Sequence, residues 1–181
     1  LLPEARGFQE YFCGTLNPYI ASHDLVGNKL TGAPKIVRDK RYRVEVQTDA
    51  AVSFIKRHVD EEQPFFLYFA PYSPHSPFDA PEEYLAKFAH IKNEKRRTCL
   101  AMMACVDDSV GRIVHTLEQH EISDNTMVWF ISDNGAPTHG GGLNKPWSGA
   151  KGNLTDGGIR VPFSVTWPAK LDSDQTYDSM V

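Results

Sequence analysis

Met127-Val128-Trp129-Phe130-Ile131 is followed at once by Ser132-Asp133-Asn134-Gly135. Consecutive apolar residues closed by a polar turn predict a strand buried on both faces, as in a parallel sheet sandwiched between helices. A matching stretch lies upstream: Pro64 precedes Phe65-Phe66-Leu67-Tyr68-Phe69-Ala70, and the run ends in Pro71-Tyr72-Ser73-Pro74-His75-Ser76-Pro77. Downstream, Val161 to Trp167 is a third strand candidate. Between the first two runs, Asp79-Ala80-Pro81-Glu82-Glu83 combines a capping Asp, an early Pro and first-turn acids, which predicts a helix start. A longer helix follows, with Cys99, Met103, Val106, Val110, Ile113 and Leu117 spaced three and four apart. Only Asp107 to Gly111 is weakly helical within it, and Ser123-Asp124-Asn125 ends it. Ahead of the upstream strand, Thr48 reads as the cap of a helix whose apolar face is Ala51, Val52, Ile55 and Val59. Gly7 to Arg43, punctuated by glycines and prolines, predicts loops with little regular structure. The pattern is α/β, a largely parallel sheet flanked by helices.

Composition narrows the function classes. The chain has 181 residues and a net charge of -4, so there is no basic excess to drive nucleic-acid binding. No apolar run approaches the ~20 residues of a membrane span. Cys13, Cys99 and Cys105 form neither a disulfide framework nor a metal cluster, and Cys99 and Cys105 read as small buried thiols. Leu1-Leu2-Pro3-Glu4 and Thr176-Tyr177-Asp178-Ser179-Met180-Val181 both read as cuts in a longer chain.

In open α/β sheets ligands collect at the carboxyl ends of strands, and two of the three strand candidates end in polar, constrained turns. Asp133-Asn134-Gly135 has a plain reading as a turn, because these residues tolerate positive φ. At the end of a strand it has a second reading: a carboxylate and an amide oxygen on a rigid support, the hard oxygen donors that calcium takes. His75 reads as an ordinary surface residue, or as an imidazole fixed by Pro74 and Pro77 that could bond an anion or protonate a leaving oxygen. Lys151 lies in Gly149-Ala150-Lys151-Gly152-Asn153, which lacks the spacing of a nucleotide-binding P-loop. It reads as a solvated lysine or as an ammonium aimed at an oxyanion.

Taken in order, several stretches resemble the formylglycine-dependent sulfatase family of the alkaline phosphatase superfamily. These are Phe65-Phe66-Leu67-Tyr68, Pro74-His75-Ser76-Pro77, Ala80-Pro81-Glu82-Glu83-Tyr84-Leu85 and Val106-Asp107-Asp108-Ser109-Val110-Gly111-Arg112-Ile113. They continue with Ser132-Asp133-Asn134-Gly135, Gly149-Ala150-Lys151-Gly152 and Asp156-Gly157-Gly158-Ile159-Arg160-Val161-Pro162. Arg6-Gly7-Phe8 resembles a Gly-Phe-Asp segment of the family, with Gln9 in place of the Asp. The resemblance implies an alkaline-phosphatase-like fold and hydrolysis of sulfate esters of a carbohydrate or aryl alcohol. It implies that Asp133 and Asn134 are calcium ligands, and that His75 and Lys151 are catalytic and contact the sulfate and its bridging oxygen. It further implies a formylglycine nucleophile, made from a Cys or Ser in a Cys/Ser-x-Pro-x-Arg motif, which attacks sulfur as its hydrate.

That motif is absent from this sequence. Residues 1–181 are therefore expected to be the middle and later part of a sulfatase catalytic domain, inactive alone, without the nucleophile-bearing part and the C-terminal subdomain. The expected partner is a sulfated small molecule or glycan, and the family implies a periplasmic, extracellular or lysosomal setting. Two rivals stand beside this reading. A phosphatase or phosphodiesterase of the superfamily resembles the chain but usually carries Asp-His-Gly where Asp133-Asn134-Gly135 stands, and a His suits zinc where an Asn oxygen suits calcium. A non-catalytic relative would hold sulfated glycan without cleaving it. His139 and Trp147 read equally as sugar contacts or as plain loop residues.

Overall fold

The computed structural model describes residues 2–177, and these divide between two compact units, Leu1–Thr116 and Leu117–Val181. The order of elements is β1 Phe12–Cys13, β2 Tyr19–Ala21, β3 Ile36–Val37, α1 Arg43–His58, α2 Glu82–Lys87, α3 Glu94–Gln119, β4 Val128–Ile131, α4 Asp156–Ile159 and β5 Phe163–Thr166, with short 3-10 turns between. The chain is thus α/β. No helix among the described residues is long and apolar enough to cross a membrane.

The first unit is built on helices. Its core gathers Tyr19 and Ala21 of β2, Val44, Val46, Ala51 and Ile55 of α1, and Ala101, Met102 and Cys105 of α3. Several sequence expectations shift here. α1 begins at Arg43, so Thr48 is not its cap but lies buried inside it, donating its hydroxyl hydrogen back to the Val44 carbonyl at 2.6 Å. In α3 the buried seam is Met102, Cys105 and Ser109, with Val106, Val110 and Ile113 half-buried and Met103 exposed. Of the expected apolar positions Cys99 and Leu117 are buried near the ends of the helix, while midway the face that packs is about one residue round it. Asp107 and Asp108 do not interrupt α3, because both point outward; Asp108 accepts hydrogen bonds from Tyr84 Oη at 2.7 Å and Lys87 Nζ at 3.4 Å. Asp79 does not cap α2; Pro81 stands there instead. The stretch expected to be loops with little regular structure holds the short strands β1, β2 and β3, joined as a small antiparallel sheet in that order.

The sheet expectation needs the larger correction. Phe65 to Ala70 has no strand partner and runs as unpaired chain, with Phe66 75% exposed. β4 and β5 do form, but they pair antiparallel, Val128 opposite Thr166 and Ile131 opposite Phe163, not parallel. Their side chains are not buried on both faces either: Trp129 is 62% and Ile131 59% exposed. A continuous apolar run records what a strand can bury; it does not record which partners lie beside it.

The second unit has an interior of backbone, not of large side chains. Its buried described residues are Leu117 and the glycines Gly135, Gly140, Gly142, Gly157 and Gly158. Backbone hydrogen bonds and close glycine contacts run through this interior.

Candidate active site

Asp133 and Asn134 leave β4 in a turn that is fastened at several points to the segment leading into β5. The Ser132 N–H donates to the Pro162 carbonyl at 3.2 Å and the Gly135 N–H to the Gly158 carbonyl at 2.8 Å. A Cβ at Gly135 would run into the Gly157 carbonyl oxygen, so only glycine allows the two backbones to meet there. Ser132 Oγ donates to the Asn134 carbonyl at 3.0 Å. The Asn134 side-chain amide donates to Asp133 Oδ1. Asp133 is exposed and makes no ion pair among the described residues.

Lys151 sits in a loop closed on itself and docked on the same turn. Its N–H points to the Ala136 carbonyl at 3.5 Å, two residues beyond Asn134. The Ala150 N–H donates to Asn153 Oδ1 at 2.9 Å, and the Ser148 carbonyl accepts from both the Gly157 N–H and Thr155 Oγ1 at 2.7 Å. Gly149 has φ +87°, a conformation that side chains resist, and it lets the loop reverse. The Lys151 side chain is exposed. The structure thus brings Asp133, Asn134 and Lys151 onto adjoining loops of one unit.

A residue that sequence reasoning missed joins those loops. Asn144 Oδ1 accepts from the Ala136 N–H at 2.9 Å, and its Nδ2 donates to the Ala136 carbonyl at 2.8 Å and the Gly149 carbonyl at 3.2 Å. One amide therefore bridges the chain beside Asn134 to the chain beside Lys151. Nothing in Leu143-Asn144-Lys145 marked it, because an Asn in a Gly-rich stretch reads as a turn residue. Trp147 is partly committed as well: the Arg160 guanidinium lies 4.2 Å from the centre of its ring.

His75 belongs to the other unit and is exposed in the turn after the unpaired run. Its ring packs against Tyr72 with centroids 5.0 Å apart. Nδ1 lies 3.2 Å from both the Ser76 carbonyl and Ser76 Oγ. Nε2 has no hydrogen-bond partner among the described residues, so it is the nitrogen open to a ligand. The N-terminal turn of α1 grips this turn from beneath. Arg43 Nη2 donates to the Pro77 carbonyl at 2.7 Å and the His75 carbonyl at 3.4 Å, and pairs with Asp79 Oδ1 at 3.0 Å. Arg43 fell at the end of the stretch read as loops, and nothing in Lys40-Arg41-Tyr42-Arg43 marked this role.

Residues 3–180 match the Sulfatase family. The chain belongs to the sulfatase family. Among relatives, it is similar to arylsulfatase J of Mus musculus, 30% identical over 179 residues, covering 92% of this chain and 29% of that protein. It is also similar to N-acetylgalactosamine-6-sulfatase of Canis lupus familiaris, 35% identical over 188 residues, covering 93% of this chain and 35% of that protein. Among solved structures it resembles Ps i-CgsB in complex with k-i-k-neocarrahexaose, with a TM-score of 0.75, 32% identity, and coverage of 92% of this chain and 34% of that one. The chain therefore spans about a third of the length of the sulfatases it matches.

The sulfatase family implies calcium, and the donors present can be tested against it. Asp133 and Asn134 offer oxygens only, on a turn fixed at both ends, which suits a hard cation. They supply fewer than the six to eight oxygens that calcium takes, and no group of three or more His, Cys, Asp or Glu among the described residues could hold a metal ion. The pair fits as part of such a shell. For the amide oxygen to face an ion, the Asn134 amide, whose nitrogen now faces Asp133 Oδ1, must turn over.

Proposed function

We propose that this chain is the middle and later part of the catalytic domain of a sulfuric ester hydrolase that cleaves sulfate esters of a carbohydrate or aryl alcohol. The observation that carries the reading is the fastening of the Asp133-Asn134 turn to the Lys151 loop through Gly135, Asn144 and the backbone of 156–162. A carboxylate, an amide oxygen and an ammonium on adjoining rigid loops make a place for a cation and the anion it attracts. In this reading Asp133 and Asn134 ligate calcium, which lends positive charge beside the sulfate when bound. The Lys151 ammonium binds sulfate oxygens and offsets charge that grows on them as the ester bond breaks. His75 approaches the bridging oxygen with Nε2 and donates a proton to the departing alcohol, while Nδ1 stays engaged with Ser76.

The nucleophile is proposed to be a formylglycine from a part of the protein outside these 181 residues, since the sequence has no Cys/Ser-x-Pro-x-Arg motif. Residues 1–181 alone would then be inactive. In the intact domain Phe65 to Ala70 and β4 would take places in an alkaline-phosphatase-like sheet. A sulfated glycan is the favoured substrate class, because one similar structure is described in complex with a neocarrahexaose.

The test uses the intact protein on paired sulfate and phosphate esters of one alcohol. Sulfate ester hydrolysis should dominate. Lys151→Ala should lower kcat by roughly a hundredfold with a smaller change in KM. His75→Ala should lower kcat on poor leaving groups and recover in part on very acidic ones, which need little protonation. Preference for phosphate, or a Lys151→Ala variant altered only in KM, would refute these assignments.

A further inference from the structure

Arg43 is 2% exposed, unusual for a guanidinium, and all three of its polar contacts run from a single nitrogen, Nη2, into the turn that carries His75. Nε and Nη1 are buried without hydrogen-bond partners. The faces of Tyr42 and Tyr72 stand 5.3 Å and 5.7 Å from its central carbon and take up part of the charge. A buried cation with unfilled donors is costly, and a methionine of similar length would pack there without that penalty. What Arg43 does that an apolar residue could not is bind the His75 and Pro77 carbonyls and the Asp79 carboxylate together.

Its neighbours act on the same turn. Tyr42 Oη donates to the Asp79 carbonyl at 3.0 Å and, its one hydrogen used, accepts from Ser73 Oγ at 2.9 Å. The Tyr72 N–H donates to Gln47 Oε1 at 3.3 Å. The turn from Tyr72 to Asp79 is therefore tied to α1 on both sides of His75, although His75 itself makes no side-chain contact with α1 among the hydrogen bonds described.

We propose that Arg43 is a positioning residue for His75: its buried guanidinium fixes the backbone of the 75–79 turn on α1 and so sets where the imidazole meets the leaving oxygen. The proposal rests on His75 acting on the leaving group. An ammonium at position 43 keeps the charge but loses the planar fork. A displacement of the imidazole by about 1 Å can cost up to roughly a hundredfold in rate.

The experiment compares His75→Ala, Arg43→Lys, Tyr42→Phe and the double variant R43K/H75A in the intact protein, on sulfate esters of graded leaving-group acidity. Tyr42→Phe disturbs the same turn without touching the buried charge, so it reports even where Arg43→Lys fails to fold. The expected result is a kcat loss of roughly tenfold for Arg43→Lys and a smaller one for Tyr42→Phe. Both losses should leave KM unchanged and shrink on acidic leaving groups, and the double variant should be no slower than His75→Ala alone. Arg43→Lys and Tyr42→Phe at parental rates, or losses that multiply with His75→Ala, would overturn the role of Arg43 while leaving that of His75 intact. A His75→Ala variant at parental rate on every ester would overturn the reading of His75 and this proposal with it.

Discussion

Replacing Asn144 with alanine removes the three hydrogen bonds by which its amide joins the turn beside Asn134 to the loop of Lys151. Their weights differ. Gly149 is exposed, so its carbonyl can turn to water and its loss counts little. Ala136 is half-buried; its N–H depends on the Asn144 amide, and its carbonyl would keep only the longer 3.5 Å bond from the Lys151 N–H. At ~0.5–1.5 kcal/mol for each, with a surcharge for groups left unsatisfied, the local cost is about 2 kcal/mol. That corresponds to roughly a thirtyfold rise in the population of the opened loop. Amide hydrogen exchange on the intact protein reads this directly: the Ala136 and Lys151 N–H groups should exchange about thirtyfold faster, while amides in α3 keep parental rates. Asn144→Asp is the sharper companion, since it retains the acceptor but turns a carboxylate towards two carbonyls; it should be at least as damaging. Ala136 exchange within twofold of the parent in both variants would refute the claim that Asn144 bridges the loops.

Asp133→Ala in the intact protein should lower calcium content and affinity strongly while changing the melting temperature little in calcium-free buffer, because Asp133 is exposed and unpaired; unaltered calcium stoichiometry by mass spectrometry would refute the ligand assignment. His58 lies 3.0 Å from Glu10 and 2.6 Å from Glu61; burial pulls its pKa down, but its hydrogen bonds to Glu61 and Glu10 prevail and leave it raised. His23, which shares Glu10, is held low by burial despite that carboxylate, with Arg57, Lys29 and His58 adding to the effect. A raised folded pKa contributes stability in full below the unfolded value of about 6.5 and loses it as pH rises through the folded value. His58→Gln should therefore destabilise more at pH 5 than at pH 8.5 in thermal melts, and an equal loss at both would contradict this.

The sequence was informative wherever a local rule decided the outcome. The apolar run before Ser132 gave β4, and the order of motifs pointed to the sulfatase family. It was silent on pairing, since an apolar run carries no address for its neighbour: β4 found β5 antiparallel, and Phe65 to Ala70 found no strand. In α3 the three-and-four spacing was legible and placed Cys99 and Leu117 correctly, but small buried residues such as Ala101 and Ser109 carry little hydrophobic signal, so the middle of the packed face was misplaced. At the site, Asp133, Asn134 and Lys151 stood out because polar residues in constrained turns are conspicuous. Asn144 and Arg43 did not, since most of their partners are backbone groups, not side chains. A bond to a carbonyl leaves no trace in the identity of the residue that supplies it.

The β4–β5 ribbon has a consequence for handling the polypeptide in solution. Trp129, Ile131 and Phe130 expose apolar surface on both of its faces, and a two-stranded sheet leaves both outer edges free to bond another chain. Produced as residues 1–181, the material should behave as a sticky colloid: self-association should steepen with concentration and salt, and arginine or a mild detergent should suppress it. Lysine at Trp129 would be the first change to make for soluble yield, since it interrupts the apolar face without touching the turn at Asp133.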